Sequence, residues 1–226
     1  MATFEIVEQE GMRFVKIGLE NETVRAESGA LSTMSGDIVM DVPLPSLGKL
    51  LKSYLSEEAY LRPTYTGTGD VLLEPSYNGF YVFDLQGETW ILASGIYWAS
   101  EASVEVSTIR ERAWTSFWAG EGFIDWQTKV SGHGRVALTA QGRVEEVALG
   151  PGQRFVAQGK TVIARSREVD YRIARPTKSL MKTYMSGEGY CRTYAGPGRL
   201  LVSRVPYWQF RLFGPQPAAA SPADAA

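Results

Sequence analysis

Histidine and cysteine are almost missing from this chain: its 226 residues include only His133 and Cys191 of these two types. A single cysteine excludes an internal disulfide and any multi-cysteine metal site. Cys191 stands in an apolar and aromatic run, where a buried, inert thiol is expected. A lone histidine without other nitrogen or sulfur ligands makes a poor zinc site, and it leaves little for general acid–base work near neutral pH. His133 lies between two glycines and is expected to be an exposed turn residue. Long apolar runs are missing too. The most apolar window, residues 90–99 (WILASGIYWA), is about half the length needed to cross a bilayer and is broken by Gly95. The first residues, MATFEIVEQEGMRF, have neither a basic region with an apolar core nor an Arg/Ser-rich, acid-poor character. No leader is therefore expected, and the expected location is cytoplasmic.

Nor does one sign of charge dominate. The formal net charge is −2, which argues against bulk attraction to a polyanion. The distribution is uneven: residues 1–101 carry fifteen acids against six bases, and residues 165–211 carry ten bases against three acids. Such polarity fits a solvated surface or a head-to-tail subunit contact.

What is present is β-type sequence punctuated by glycine. Residues 4–8 and 14–19 alternate around a turn at Gly11 and Met12, which is a hairpin signal. A short strand is expected over residues 23–26, and turns at Ser28-Gly29 and at Ser35-Gly36-Asp37. Ile38, Met40 and Val42 then alternate until Pro43 and Pro45. Glycine recurs every eight to twelve residues, as in sandwiches and barrels rather than βαβ folds. The tail from Gly214, GPQPAAASPADAA, offers nothing large to bury and is expected to be disordered.

A related passage occurs three times, at residues 51–69, 113–134 and 180–198. Each copy opens with helical spacing: Leu51, Tyr54 and Leu55; Trp114, Phe117 and Trp118; Met181, Tyr184 and Met185. These predict short helices held by packing onto the strands that follow. An acid comes next, at Glu58, Glu121 and Glu188, the latter two between glycines. Three equivalent carboxylates could converge on Mg²⁺ or Ca²⁺, or each could accept backbone N–H bonds at its own turn; the second reading is preferred. A paired glycine ends each copy: Gly67 and Gly69, Gly132 and Gly134, Gly196 and Gly198. Because β-rich sequence follows each pair, a phosphate cradle is rejected and hairpin turns are expected.

A strand running to a glycine also recurs, in residues 24–31, 91–98 and 155–162. With one half-unit at each end of the chain, the expected architecture is a single all-β domain of three pseudo-threefold, β-sandwich-like repeats with short helices between strands. Its units would span about 51–112, 113–178, and 179–213 closed by 4–42, ahead of a 214–226 tail. Trp208, Phe210 and Leu212 alternate on a last strand expected to pair with the N-terminal hairpin.

The string AESGALSTMSGDIVMDV, the passage SGEGYCRTYAGPGRLLV and the threefold repeat together resemble the altered-inheritance-of-mitochondria/TRAP-like family, named for a distant similarity to the tryptophan RNA-binding attenuation protein. The resemblance covers roughly residues 4–213. It implies an all-β fold of three repeats and an association of mitochondrial relatives with inner-membrane organisation and respiratory assembly. It carries over no catalytic residue. The first copy departs from the pattern, with Glu57-Glu58-Ala59 in place of Gly-Glu-Gly.

Three functions fit these features. The first is a non-enzymatic scaffold with no cofactor, acting through an unknown protein partner and as a homo-oligomer. The second is RNA, single-stranded DNA or other polyanion binding by Arg192, Arg199, Arg204 and Arg211 interleaved with Tyr190, Tyr194, Tyr207 and Trp208. The third is a metal-dependent site at Glu58, Glu121 and Glu188, weak for want of histidine. The scaffold is preferred because the sequence shows no nucleophile–base pair, metal cluster or phosphate loop.

Overall fold

The structure is a computed structural model that describes residues 1–42, 62–76, 79–111, 125–158, 161–174 and 191–204. Among the described residues it is all-β, with fourteen strands and no helix. No helix among them is long and apolar enough to cross a membrane. The expected short helices, Glu58, Glu121, Glu188, Tyr190, Tyr207, Trp208, Arg211 and the 214–226 tail lie outside the described residues.

The strands fall into three sets around three central strands. In the first, β1 (Thr3–Gln9) and β2 (Met12–Ala26) form the expected hairpin, and β4 (Thr64–Leu73) lies between β2 and β3 (Leu31–Asp41). In the second, β8 (Asp125–Thr139) is paired by β5 (Phe80–Leu92) on one side and by β6 (Tyr97–Glu101) and β7 (Val104–Glu111) on the other. In the third, the central strand divides into β13 (Cys191–Ala195) and β14 (Gly198–Ser203). Its neighbours are β9 (Val144–Leu149) with β10 (Arg154–Gln158), and β11 (Val162–Ser166) with β12 (Asp170–Ala174).

Two seams join the sets. The end of β2 pairs with β6, Val24 to Glu101, Arg25 to Ser100 and Ala26 to Ala99. The end of β5 pairs with β11 at the corresponding places, Trp90 to Ser166, Ile91 to Arg165 and Leu92 to Ala164. Eleven strands thereby form one sheet, while β10, β13 and β12 form a second.

Each set buries an apolar cluster. Val15, Ile17, Leu19, Tyr65 and Val71 centre the first, Leu85, Trp90, Leu92, Val130 and Val136 the second, and Leu149, Val162, Tyr194 and Leu200 the third. In β2 the buried residues fall at 15, 17 and 19 and then at 24 and 26, so the inward face changes parity midway. One extra residue between Glu20 and Glu22 causes the change. A bulge of one residue moves every later side chain to the opposite face.

Several expectations are corrected. The glycine pairs 67/69 and 132/134 are not hairpin turns; they lie inside the continuous strands β4 and β8, with φ between +105° and +147°. Only the third pair sits at a break, between β13 and β14. His133 is exposed as expected, but on a strand rather than a turn. Ser35-Gly36-Asp37 does not turn either: β3 runs through it, and Gly36 lies opposite Gly69. In each case a local turn signal reflects a need for backbone room. A Cβ at Gly36 would press on the Gly69 Cα at 2.7 Å, and glycine removes that conflict. The residues expected as a short strand at 23–26 are the end of the fifteen-residue β2. Lastly, β13 and β14 pair within residues 144–203 and not with residues 4–42, because β9 to β12 already occupy both of their sides. The strand expected at Trp208, Phe210 and Leu212 lies outside the described residues.

Candidate functional site

The second glycine of each pair organises the polar groups around it. Gly69 lies opposite Leu19, Gly134 opposite Leu85, and Gly198 opposite Leu149. Immediately after that leucine the neighbouring strand bulges in the first two sets and gives way to a turn in the third, and a side chain closes each irregularity. The Glu20 N–H donates to Glu22 Oε2 at 3.4 Å, the Gln86 N–H to Glu88 Oε2 at 3.0 Å, and the Gly150 N–H to Gln153 Oε1 at 2.7 Å. The two carboxylates replace the ladder partner that a bulge removes, and the amide closes the turn between β9 and β10.

The residue after the second glycine carries charge and is paired across strands in every set. Asp70 meets Lys16 Nζ at 3.1 Å, and Arg135 Nε donates to Asp84 Oδ1 at 3.3 Å. Arg199 donates to Glu146 Oε1 and Glu88 Oε1, each at 3.0 Å, and its guanidinium lies 5.1 Å from the centre of the Trp90 ring. Burial works against the Glu88 charge, but hydrogen bonds from its own backbone N–H, Trp90, Gln86 and Arg199 hold its carboxyl below the ordinary value. Burial likewise opposes the Arg199 charge, and bonds to Glu146 and Glu88 keep its pKa above the ordinary value. The backbone N–H of Arg135 donates to Glu101 Oε2 at 3.0 Å, and that of Arg199 to Ser166 Oγ at 3.0 Å. Glu101 and Ser166 occupy the same place at the two seams.

The seams also share their flanking bonds. Glu27 donates its N–H to Trp98 O as Ala93 does to Ile163 O, and Ala102 donates to Thr23 O as Arg167 does to Thr89 O. Within the first seam Tyr97 is buried, its hydroxyl bonding Ser100 Oγ at 2.9 Å, with Arg62 stacked 4.9 Å from the ring centre. Burial pushes its phenol up to about 12.

Of the residues expected to bind a polyanion, the structure describes Arg192, Arg199, Arg204 and Tyr194. Arg199 is held by two carboxylates, and Arg204 Nε lies 3.0 Å from Glu145 Oε2. Arg192 is half-buried on β13 beside Cys191, and Tyr194 is buried against Tyr171, its phenol pushed upward by burial. The described members are therefore engaged in pairs within the chain and do not form one open basic aromatic face. Sequence reasoning missed Glu22, Glu88 and Gln153; their common signal is a carboxylate or amide two or three residues after the donor, on a long strand for the two glutamates and across a turn for Gln153.

An all-β protein of three strand sets, joined at two seams with matching registers, defines the class. The chain belongs to the mitochondrial biogenesis AIM24 family, whose model matches residues 4–204. The fold is similar to that of a Streptococcus pyogenes protein whose crystal structure came from a structural genomics consortium. The two share 22% identity at a TM-score of 0.69, covering 93% of this chain and 97% of that one. No curated protein matches the chain.

Proposed function

We propose that the chain is a non-enzymatic scaffold of three repeats, residues 12–73, 80–139 and 144–203, acting through protein partners and through self-association. The recurrence of central strand and glycine pair in all three sets, and of bulge and seam in two, supports three repeats of a TRAP-like fold. The acids inside the framework are engaged in structural bonds, Glu22 and Glu88 at bulges and Glu101 at a seam. That engagement favours a scaffold over a carboxylate-based reaction. The cytoplasm is the compartment proposed with it.

The observation that carries this reading is an apolar strand edge. Met34, Val39 and Met40 of β3 are 45%, 67% and 44% exposed, and β3 pairs only with β4 among the described strands. An unpaired edge with large apolar side chains invites another chain unless something covers it. Native mass tests the proposal, by light scattering on a sizing column over a range of concentrations. A discrete oligomer, or a discrete complex with another protein, supports a scaffold. A strict monomer at every concentration that also forms no complex overturns it.

A further inference from the structure

Corresponding surfaces are treated differently in the three sets. Aligned on the glycine pairs, Thr33, Met34 and Ser35 of β3 correspond to Ala99, Ser100 and Glu101 of β6 and to Ala164, Arg165 and Ser166 of β11. The alignment is fixed by pairing to the central strands: Met34 opposes Val71, Ser100 opposes Val136, and Arg165 opposes Leu200. A register shift just before these residues, at Leu31/Thr33, Tyr97/Ala99 and Val162/Ala164, marks the same place in all three. The β6 and β11 residues are all buried, because the preceding set pairs with them. Thr33, Met34 and Ser35 have no preceding set, and all three are exposed.

The other end of the chain shows the complementary gap. Phe155, Val156 and Ala157 of β10 correspond to Val24, Arg25 and Ala26 of β2 and to Trp90, Ile91 and Leu92 of β5, again by register with the central strands. The ends of β2 and β5 each carry the next set along one edge. Among the described strands β10 pairs only with β13, and Val156 is 61% exposed. The cores agree. The first draws Ala99 and Ala137 from the second set, and the second draws Ile163, Ala164 and Leu201 from the third. Among the described residues, the third cluster draws on no following set.

We infer that β10 of one molecule pairs antiparallel with β3 of a second copy of this chain, repeating the internal seam between molecules. The occupant is set by continuity: the seam already built twice needs one β10-like and one β3-like edge, and each copy carries one of each. The register is Phe155 to Ser35, Val156 to Met34 and Ala157 to Thr33. By the flanking bonds of the two internal seams, the Gln158 N–H donates to Ser32 O and the Gly36 N–H to Arg154 O. The contact is heterologous, so it makes closed rings or open filaments according to the rotation between copies. It buries Val156 against Met34, and it gives the third core apolar cover from Leu72, which corresponds to Ala137 and Leu201.

This inference deepens the scaffold proposal, and cysteine cross-linking separates the two. In a Cys191→Ser background, Met34→Cys and Val156→Cys are prepared singly and together. Directly opposed residues of an antiparallel pair lie about 4.5–5.5 Å apart at Cα, within disulfide reach. On mild oxidation, a mixture of the two single variants is expected to give a mixed disulfide dimer in excess of either homodimer, and the double variant a ladder of covalent oligomers. A double variant that cross-links only within one molecule overturns the inference, since the chain then closes on itself. Homodimers in excess, or no cross-link at all, also overturn it. Val156→Lys, which places a charge on the edge without touching the core, is expected to lower the native mass. If native mass shows an oligomer and the mixed cross-link fails, the scaffold reading stands and this pairing does not.

Discussion

Leu85 faces Gly134 directly across β5 and β8, and the glycine is there because there is no room for anything larger. A Cβ on Gly134 would come 2.7 Å from Glu101 Oε2 and 2.8 Å from Ser103 Oγ, and the φ of +139° is itself costly for other residues. Gly134→Ala is therefore expected to destabilise by about 2 kcal/mol or more. Gly29→Ala, at φ +77° with nothing within 4 Å of the new methyl, should cost only about 1 kcal/mol. Denaturant midpoints of the two variants check the ranking, and equal losses would refute the steric argument.

Glu88 closes the β5 bulge and also holds Arg199. Removing it in Glu88→Ala is expected to cost about 1–2 kcal/mol. A double-mutant cycle with Arg199→Ala should show coupling of about 0.5–1 kcal/mol, modest because both groups reach solvent. Strict additivity would mean that the ion pair contributes nothing.

The same carboxylate makes stability depend on acid. Its folded pKa lies below the ordinary value of 4.5, so its contribution is complete above that value and is lost as pH falls through the folded pKa. Urea titrations from neutrality to about pH 3 should show wild type losing more stability than Glu88→Gln. Parallel curves would contradict the assignment.

The sign reverses at Tyr97. Its phenol is pushed up to about 12 by burial, so unfolded chains ionise first as pH rises past the ordinary value of 10, and stability falls from there. Tyr97→Phe should cost about 1 kcal/mol at neutral pH, by leaving the Ser100 hydroxyl without its partner. It should also lose less stability than wild type between neutrality and high pH. An unchanged alkaline profile would show that the seam does not exclude water from the ring.

The all-β class and the N-terminal hairpin were legible because alternation and turn glycines are local signals, as at Gly11 and Gly29. The setting of the paired glycines was not. Glycine at 67 and 69 reads as a turn from composition alone, whereas its meaning comes from Asp37 and Ser35, whose backbones press against it from a strand some thirty residues away. The roles of Glu22 and Glu88 were hidden because a bulge is visible only in register. The partners of Arg199, Glu88 and Glu146, were hidden because they are distant from it in sequence.

Amide hydrogen exchange of residues 31–41 as a function of protein concentration, beside residues 97–101 and 162–166, shows whether a second copy completes the third seam. The two internal segments should be protected at every concentration, since their seams lie within the molecule. Residues 31–41 should exchange fast in dilute solution and become protected as copies associate. Protection of 31–41 that is already complete at the lowest concentration, or never develops, would contradict an open third seam completed by a second copy.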